Sequence, residues 1–210
     1  MILREGYVPL SIALAAAAGV VSSIGVLESL PLWVVLAWLL RVYWEHRPAI
    51  PAQPKAVLSP VQGRVIGSEV FYDPWLKRPT LRIRVAVPFP GIVPLRCPIE
   101  AKVMDLYTRV GTFGAAQRPC AVDESPDCYA QWLQTDEGED VVFCVSSRFP
   151  VSRARFLQAP GERVGHGERN GFIYFASVVD LLIPEDSEVL VQAGQSLNAA
   201  ESVLAQLPKS

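Results

Sequence analysis

Residues 171–184 read GFIYFASVVDLLIP. Successive side chains of an extended chain point to opposite sides, so Ile173, Phe175, Ser177, Val179 and Leu181 share one apolar face. β-branched and aromatic residues fill the stretch, a proline closes it, and together they predict a strand with one buried side. On that face Ser177 reads as a small core hydroxyl bonded to a backbone carbonyl. Outward from this segment the same short period recurs in VQGRVIGSEV (61–70), TLRIRVAVPF (80–89), AKVMDLYTRV (101–110), DVVFCVSSRF (140–149) and SEVLVQAG (187–194). Gly, Pro, Asp and Ser bound these runs, as expected of a β-rich domain over residues 57–210. Residues 120–139 are polar and acidic and predict a solvated loop. Residues 197–207 carry a weak helical spacing.

The chain before this domain has another character. Pro48, Pro51 and Pro54 fix φ and remove donors, which makes residues 48–56 an extended linker. Residues 1–47 predict a membrane anchor. Tyr7 to Leu27 is apolar almost throughout, and about 20 helical residues span a bilayer core of about 30 Å. Glu28, Ser29 and Pro31 interrupt the run, and a second one follows from Leu30 to Leu40. The expected form is a transmembrane helical hairpin turning at 28–31. Arg4 precedes it, and Arg41, Arg47 and Lys55 follow it. Basic residues at both ends place both in the cytoplasm, with the β-rich domain on the cytoplasmic side of the cytoplasmic membrane. Two alternatives stand beside this reading. One is a cleaved signal peptide, although the apolar run is too long for its core of about 7–15 residues. The other is that Leu30–Trp44 lies in the interface plane.

Composition narrows the function. The 210 residues are half hydrophobic, yet the net charge is only −2, with no basic stripe for nucleic acid. The cysteines Cys97, Cys120, Cys128 and Cys144 form no C-x-x-C pair, and the only histidines are His46 and His166. No metal site is expected from such spacing, and the cysteines read as free thiols in a reducing compartment. A P-loop, a dinucleotide-binding glycine motif and a nucleophile elbow are all missing.

Five stretches, in order, resemble the short-chain phosphatidylserine decarboxylases. They are Arg4-Glu5-Gly6; Trp44 to Pro48 with Ile50-Pro51; Leu58-Ser59-Pro60-Val61-Gln62-Gly63-Arg64-Val65; Pro88-Phe89 with Arg96-Cys97-Pro98; and Gly167-Glu168-Arg169-Asn170-Gly171 running on through Phe175-Ala176-Ser177-Val178-Val179-Asp180 to Pro184. The resemblance covers nearly the whole chain. It implies a fold with biotinyl/lipoyl-like half-barrel elements, a role in phospholipid metabolism, and a pyruvoyl cofactor made from the chain itself. In that family a serine attacks the preceding carbonyl, and elimination from the resulting ester cuts the chain. The ketone left behind then serves as an electron sink for decarboxylation. An aspartate and a histidine activate the serine, a triad logic.

By this resemblance Ser177 stands at the pyruvoyl-precursor position and Ala176 precedes the bond to be cut. Gln62 stands at the aspartate position and Val93 at the histidine position. Neither can do the work of the residue it replaces. Glutamine cannot hold an imidazolium by charge, and valine has no proton to exchange. Ala176 adds a Cβ where the family has glycine. Arg148, Arg153 and Arg155 roughly match a basic stretch of the family and would suit lipid phosphates. They are equally read as charges that block a strand edge. The lone histidine His166 is a remote substitute for the lost base.

Three functions follow. The first is an unprocessed, catalytically impaired family member that binds phospholipid or assembles as a homo-oligomer or with an active paralogue. The second is a working decarboxylase, cut at 176–177, that converts phosphatidylserine to phosphatidylethanolamine. The third is a non-enzymatic carrier or adaptor, which needs a lysine at a half-barrel turn. Residues 57–70 and 189–197 contain none.

Overall fold

The computed structural model describes residues 11–16, 18–19, 30–42, 48–87, 92–110, 127–147, 153–174 and 178–208. Side chains of 30, 38–42, 109, 110, 127, 147 and 153 fall outside that description. The chain divides into two compact units, Met1–Arg47 and Pro48–Ser210.

In the first unit, residues 11–16 and 18–19 are helical, and a 13-residue helix runs over Leu30–Val42. At 1.5 Å per residue that helix is about 20 Å long, short of a bilayer core of about 30 Å. Among the described residues no helix is long and apolar enough to cross a membrane. The expected spanning hairpin is therefore not supported. Much of its first arm lies outside the described residues, and its second arm is too short.

The second unit is β-rich. Its strands are β1 (Ala56–Leu58), β2 (Gly63–Asp73), β3 (Arg78–Ala86), β4 (Ile92–Arg96), β5 (Ala101–Val110), β6 (Asp127–Gln134) and β7 (Asp140–Ser147). They continue as β8 (Arg153–Phe156), β9 (Arg163–Val164), β10 (Arg169–Tyr174), β11 (Val178–Pro184), β12 (Glu188–Val189), β13 (Ser196–Leu197) and β14 (Val203–Gln206). An eight-stranded sheet has the order β13-β2-β3-β11-β7-β6-β5-β9, beside two three-stranded sheets, β1-β14-β12 and β4-β10-β8. The sheet curls as a half-barrel. The short strands around residues 56–65 and 188–206 close one end. There Ser59 N donates to Ser202 O, Ala200 N to Ser59 O and Gly194 N to Val65 O, each at 2.8 Å.

The alternation seen in the sequence explains the core. Leu81 on β3 is partly buried, while Ile83 and Val85 on β3, Val179, Leu181 and Ile183 on β11, and Val141, Phe143 and Val145 on β7 are buried on the same side of the sheet. Each such large side chain contributes about 1.5–3 kcal/mol when fully buried. The opposite face carries a smaller cluster of Cys128, Ala130, Val142, Cys144 and Leu182, packed against Phe71, Trp75, Leu76, Tyr107 and Trp132.

Four expectations need correction. The stretch 171–184 is not one strand. β10 and β11 belong to different sheets, and residues 175–177 join them. Residues 127–134, expected in a solvated loop, form β6, because Cys128, Ala130 and Leu133 find buried places between β5 and β7. Residues 203–206 form β14 rather than a helix, held by β1 and β12 on either side. Finally, Cys97 and Cys144 are free as expected, both of them buried, whereas Cys128 is disulfide-bonded.

Asp73 ends β2 as a buried carboxylate. Its Oδ1 accepts from Trp75 N at 2.8 Å and Leu76 N at 3.2 Å, which forms the turn into β3. Burial raises its pKa, against the opposing pull of those two bonds and of Arg78. A raised folded pKa gives stability that is present in acid and lost as pH rises through it. Asp73→Asn keeps the acceptor and removes the buried charge. We expect it to be more stable than the parent at pH 7, with the gap closing below about pH 4. Asp73→Ala loses both bonds and should cost about 1 kcal/mol below about pH 4, and less at pH 7, where it also removes the buried charge. Thermal unfolding across that pH range checks both, and equal stability of the Asn variant and the parent at pH 7 would refute the argument.

Candidate functional site

Of the positions singled out by the resemblance, Gln62, Val93 and Arg155 lie among the described residues, and Val93 borders the β10–β11 crossover. Val93, on β4, sits opposite Ile173 of β10, with Ile92 opposite Tyr174 at the strand's end. It is half-buried and packs against the core. Gln62 is exposed and immediately precedes β2. Its neighbour Gly63 lies so close to β3 that an added Cβ would stand 2.3 Å from Ala86 O, which explains a glycine there. Ala86 is paired with Arg64 on one side and Val178, the first residue of β11, on the other. The chain reaches this arrangement because Arg96 N donates to Pro60 O at 2.8 Å, tying the end of β4 to the Ser59-Pro60 turn.

Ser177 and Ala176 lie outside the described residues, so their flanks, Tyr174 and Val178, define the site's geometry. The hydroxyl of buried Ser146, on β7, donates to Val178 O at 3.3 Å. Next along β11, Asp180 is fully buried, and Arg84 Nε donates to its Oδ1 at 3.0 Å. The sequence reading included Asp180 only as part of a motif and missed its ion pair. The available signal was a carboxylate in an apolar strand, which needs a partner.

No described side chain supplies the missing base. His166 stands beyond the far end of β10 from Tyr174, with Nε2 3.0 Å from Ala56 O. The strand between them spans about 16 Å, well beyond the roughly 3 Å that proton transfer needs. His166 lines a separate cavity of about 330 Å³ with Lys55, Glu100, Asp136 and Glu137. His46 lies outside the described residues. The free thiols offer no substitute nucleophile: burial pushes Cys97 up to about 12, and burial, then nearby Asp180, raises Cys144 well above its ordinary value. Among the described residues no cluster of His, Cys, Asp or Glu could hold a metal.

Of the arginines, Arg155 is exposed on β8, an edge strand of its sheet, opposite Phe172. Arg148 and the side chain of Arg153 lie outside the described residues. The glycine of β10 has a physical reason: a Cβ on Gly171 would stand 2.2 Å from Arg155 O, so only glycine lets β8 and β10 pair at this point.

A family profile for phosphatidylserine decarboxylase matches residues 95–205. A phosphatidylserine decarboxylase proenzyme of Nitrosomonas europaea is 31% identical over 206 residues, 98% of this chain and 95% of that protein. The corresponding proenzyme of Nitrosomonas eutropha is 32% identical over the same span. That of Aromatoleum aromaticum is 30% identical over 209 residues, 99% of this chain and 96% of its own. No solved structure matches.

Proposed function

The chain belongs to the phosphatidylserine decarboxylase family, and on that premise we propose that it is an unprocessed, catalytically impaired member that keeps the fold for phospholipid binding. One observation carries this reading. The positions that motif order matches to the aspartate and the histidine hold an exposed neutral amide, Gln62, and a half-buried valine, Val93. Such groups do not fit the maturation chemistry that yields a pyruvoyl group, because neither takes up a proton from a serine. We therefore route no chemical step through that group.

The competing reading is an active enzyme that turns phosphatidylserine into phosphatidylethanolamine and CO2. What favours it is the full-length similarity to chains named as proenzymes. The measurement that separates the two is the intact mass after long incubation. The impaired reading expects a single species of 23.0 kDa. Two fragments, the second beginning with a ketone at residue 177, would establish the decarboxylase instead.

For the membrane we propose contact through the first unit, at the cytoplasmic face. Trp33, Val34 and Val35 are exposed on the short helix, as are Ile12 and Leu14 before it. A helix of about 20 Å with apolar exposure suits the interface plane better than a crossing. Assembly with a second copy or an active paralogue would give an impaired member a role, and it belongs to the same proposal.

A further inference from the structure

We infer that the outer edge of β2, residues 66–73, is the surface through which this chain pairs with a second copy of itself, strand to strand and antiparallel. The edge is open by topology. β2 lies next to the end of the large sheet, and β13 covers only Gly63 and Arg64. Val65 N still donates to Gln195 O at 2.9 Å, and Val65 O accepts from Gly194 N at 2.8 Å. Beyond Val65, no backbone group of β2 has a partner on that side among the described residues. Residues 66–73 therefore present about 27 Å of unpaired ladder. The side chains along it are apolar where an edge is usually guarded. Val70 is 64% exposed, Tyr72 61% and Ile66 49%. Ser68 stands opposite Ile83, Val70 opposite Leu81 and Tyr72 opposite Pro79, so this row lies on the core side of the sheet, where the core runs out. Other edges carry devices that stop pairing. β4 has Pro94, β8 has Arg155, and β9 is two residues long and carries Arg163. Residues 66–73 contain no proline, lysine or arginine.

The occupant follows from charge. An antiparallel pair of identical strands has a two-fold axis, and the residue on that axis faces its own copy. With Glu69 on the axis, two carboxylates oppose each other. With Phe71 on it, Glu69 opposes Asp73, again like against like. With Ser68 on it, only residues 66–70 pair. With Val70 on the axis, residues 67–73 pair throughout: Val70 faces Val70, Ser68 faces Tyr72, Gly67 faces Asp73 and Glu69 faces Phe71. No like charges meet. That register also uses what the outer face already holds. Arg82, opposite Glu69 on β3, is ion-paired to it and lies 4.1 Å over the Phe71 ring. Glu69 of the second copy arrives beside Phe71, and so beside the same guanidinium. The strand thus matches itself in backbone, apolar row and charge, and the two large sheets join into one. This deepens the self-assembly proposed above by naming its surface, and it rests on that proposal without depending on the state of residues 176–177.

The test uses the full chain, in detergent micelles and with vesicles of phosphatidylcholine. We expect sedimentation equilibrium in micelles to show a dimer that grows with protein concentration, since a ladder of this length is a small interface. Val70→Lys sets two like charges across the axis and should weaken the dimer about tenfold or more. The exposure of Val70 should leave the unfolding temperature of that variant unchanged. Val70→Cys should form an intermolecular disulfide on mild oxidation, because the two Cβ atoms face each other about 5 Å apart. Ile66→Cys should not, because its own copy lies about 27 Å away along the ladder. The unaltered chain under the same oxidation shows what the native cysteines contribute. A chain that stays monomeric at every concentration, or a dimer that Val70→Lys leaves intact, would overturn the inference. Equal cross-linking by Val70→Cys and Ile66→Cys would overturn the pairing. A monomer whose sedimentation with the vesicles falls on Val70→Lys would assign the row to lipid instead. An intact-mass spectrum of the same sample reads residues 176–177 independently, so a failed dimer and a failed reading of processing remain distinguishable.

Discussion

Changing Gln62→Asp, Val93→His and Ala176→Gly together should speed self-cleavage of the chain at 176–177. The expected gain in cleavage rate is about 100-fold or more, since a positioned acid–base pair typically contributes 10²–10⁴. The structure accommodates the exchange at both described positions. Gln62 is exposed, so an aspartate there remains solvated and costs little to fold. Val93 is half-buried opposite Ile173, so a histidine there keeps one edge in contact with water. Any of the three changes alone should do little, because members of a relay act as a unit. Intact mass over a time course reads the result. Cleavage of the unaltered chain at the same rate would show that Gln62 and Val93 never limited it. A triple variant that stays whole while its unfolding temperature is unchanged would show that the crossover has lost the family geometry as well.

Asp180→Ala should strongly destabilise the large sheet. The carboxylate is fully buried on β11, a strand hydrogen-bonded on both sides, and Arg84 is left beside an apolar gap when it goes. Removing one partner of a buried pair costs about 3–5 kcal/mol. Arg84 retains partial exposure, its side chain 18% accessible, so water can reach it and the lower end, about 3 kcal/mol, is expected. For a chain of this size that lowers the melting temperature by roughly 6–12 °C. The replacement Arg84→Met with Asp180→Leu should recover most of the loss, because an apolar pair pays no desolvation. A thermal double-mutant cycle gives the coupling directly. Additive single effects would mean that the pair contributes packing alone.

Period-two alternation with β-branched residues marked β3 and β5 directly, whereas β7 and β11, also read as strands, are buried on both faces. The resemblance told which positions to compare, since Gln62, Val93 and Ser177 are matched by motif order alone. That Gln62 and Val93 stand at the aspartate and histidine positions is an expectation from that motif order, not a finding of the tertiary structure.

The rest depended on neighbours distant in sequence. β6 looked like an acidic loop until β5 and β7 offered Cys128, Ala130 and Leu133 a buried place. Residues 203–206 have a weak helical pattern, but their backbone groups pair with β1 and β12. Propensity is worth a few tenths of a kcal/mol per residue, and such burial and pairing outweigh it. GFIYFASVVDLLIP reads as one strand because alternation reports only which side is apolar. It does not report which sheet supplies the partner. Ile173 and Val179 share one core, yet one faces β4 and the other β3. The sequence alone therefore determined the β-rich class, the apolar face of the strands it marked and the family resemblance. Only the tertiary structure decided that residues 175–177 link two sheets, that Arg84 holds Asp180, and that His166 lies at the wrong end of β10. Strand pairing is a contact between residues far apart in the chain, and local periodicity carries no record of it.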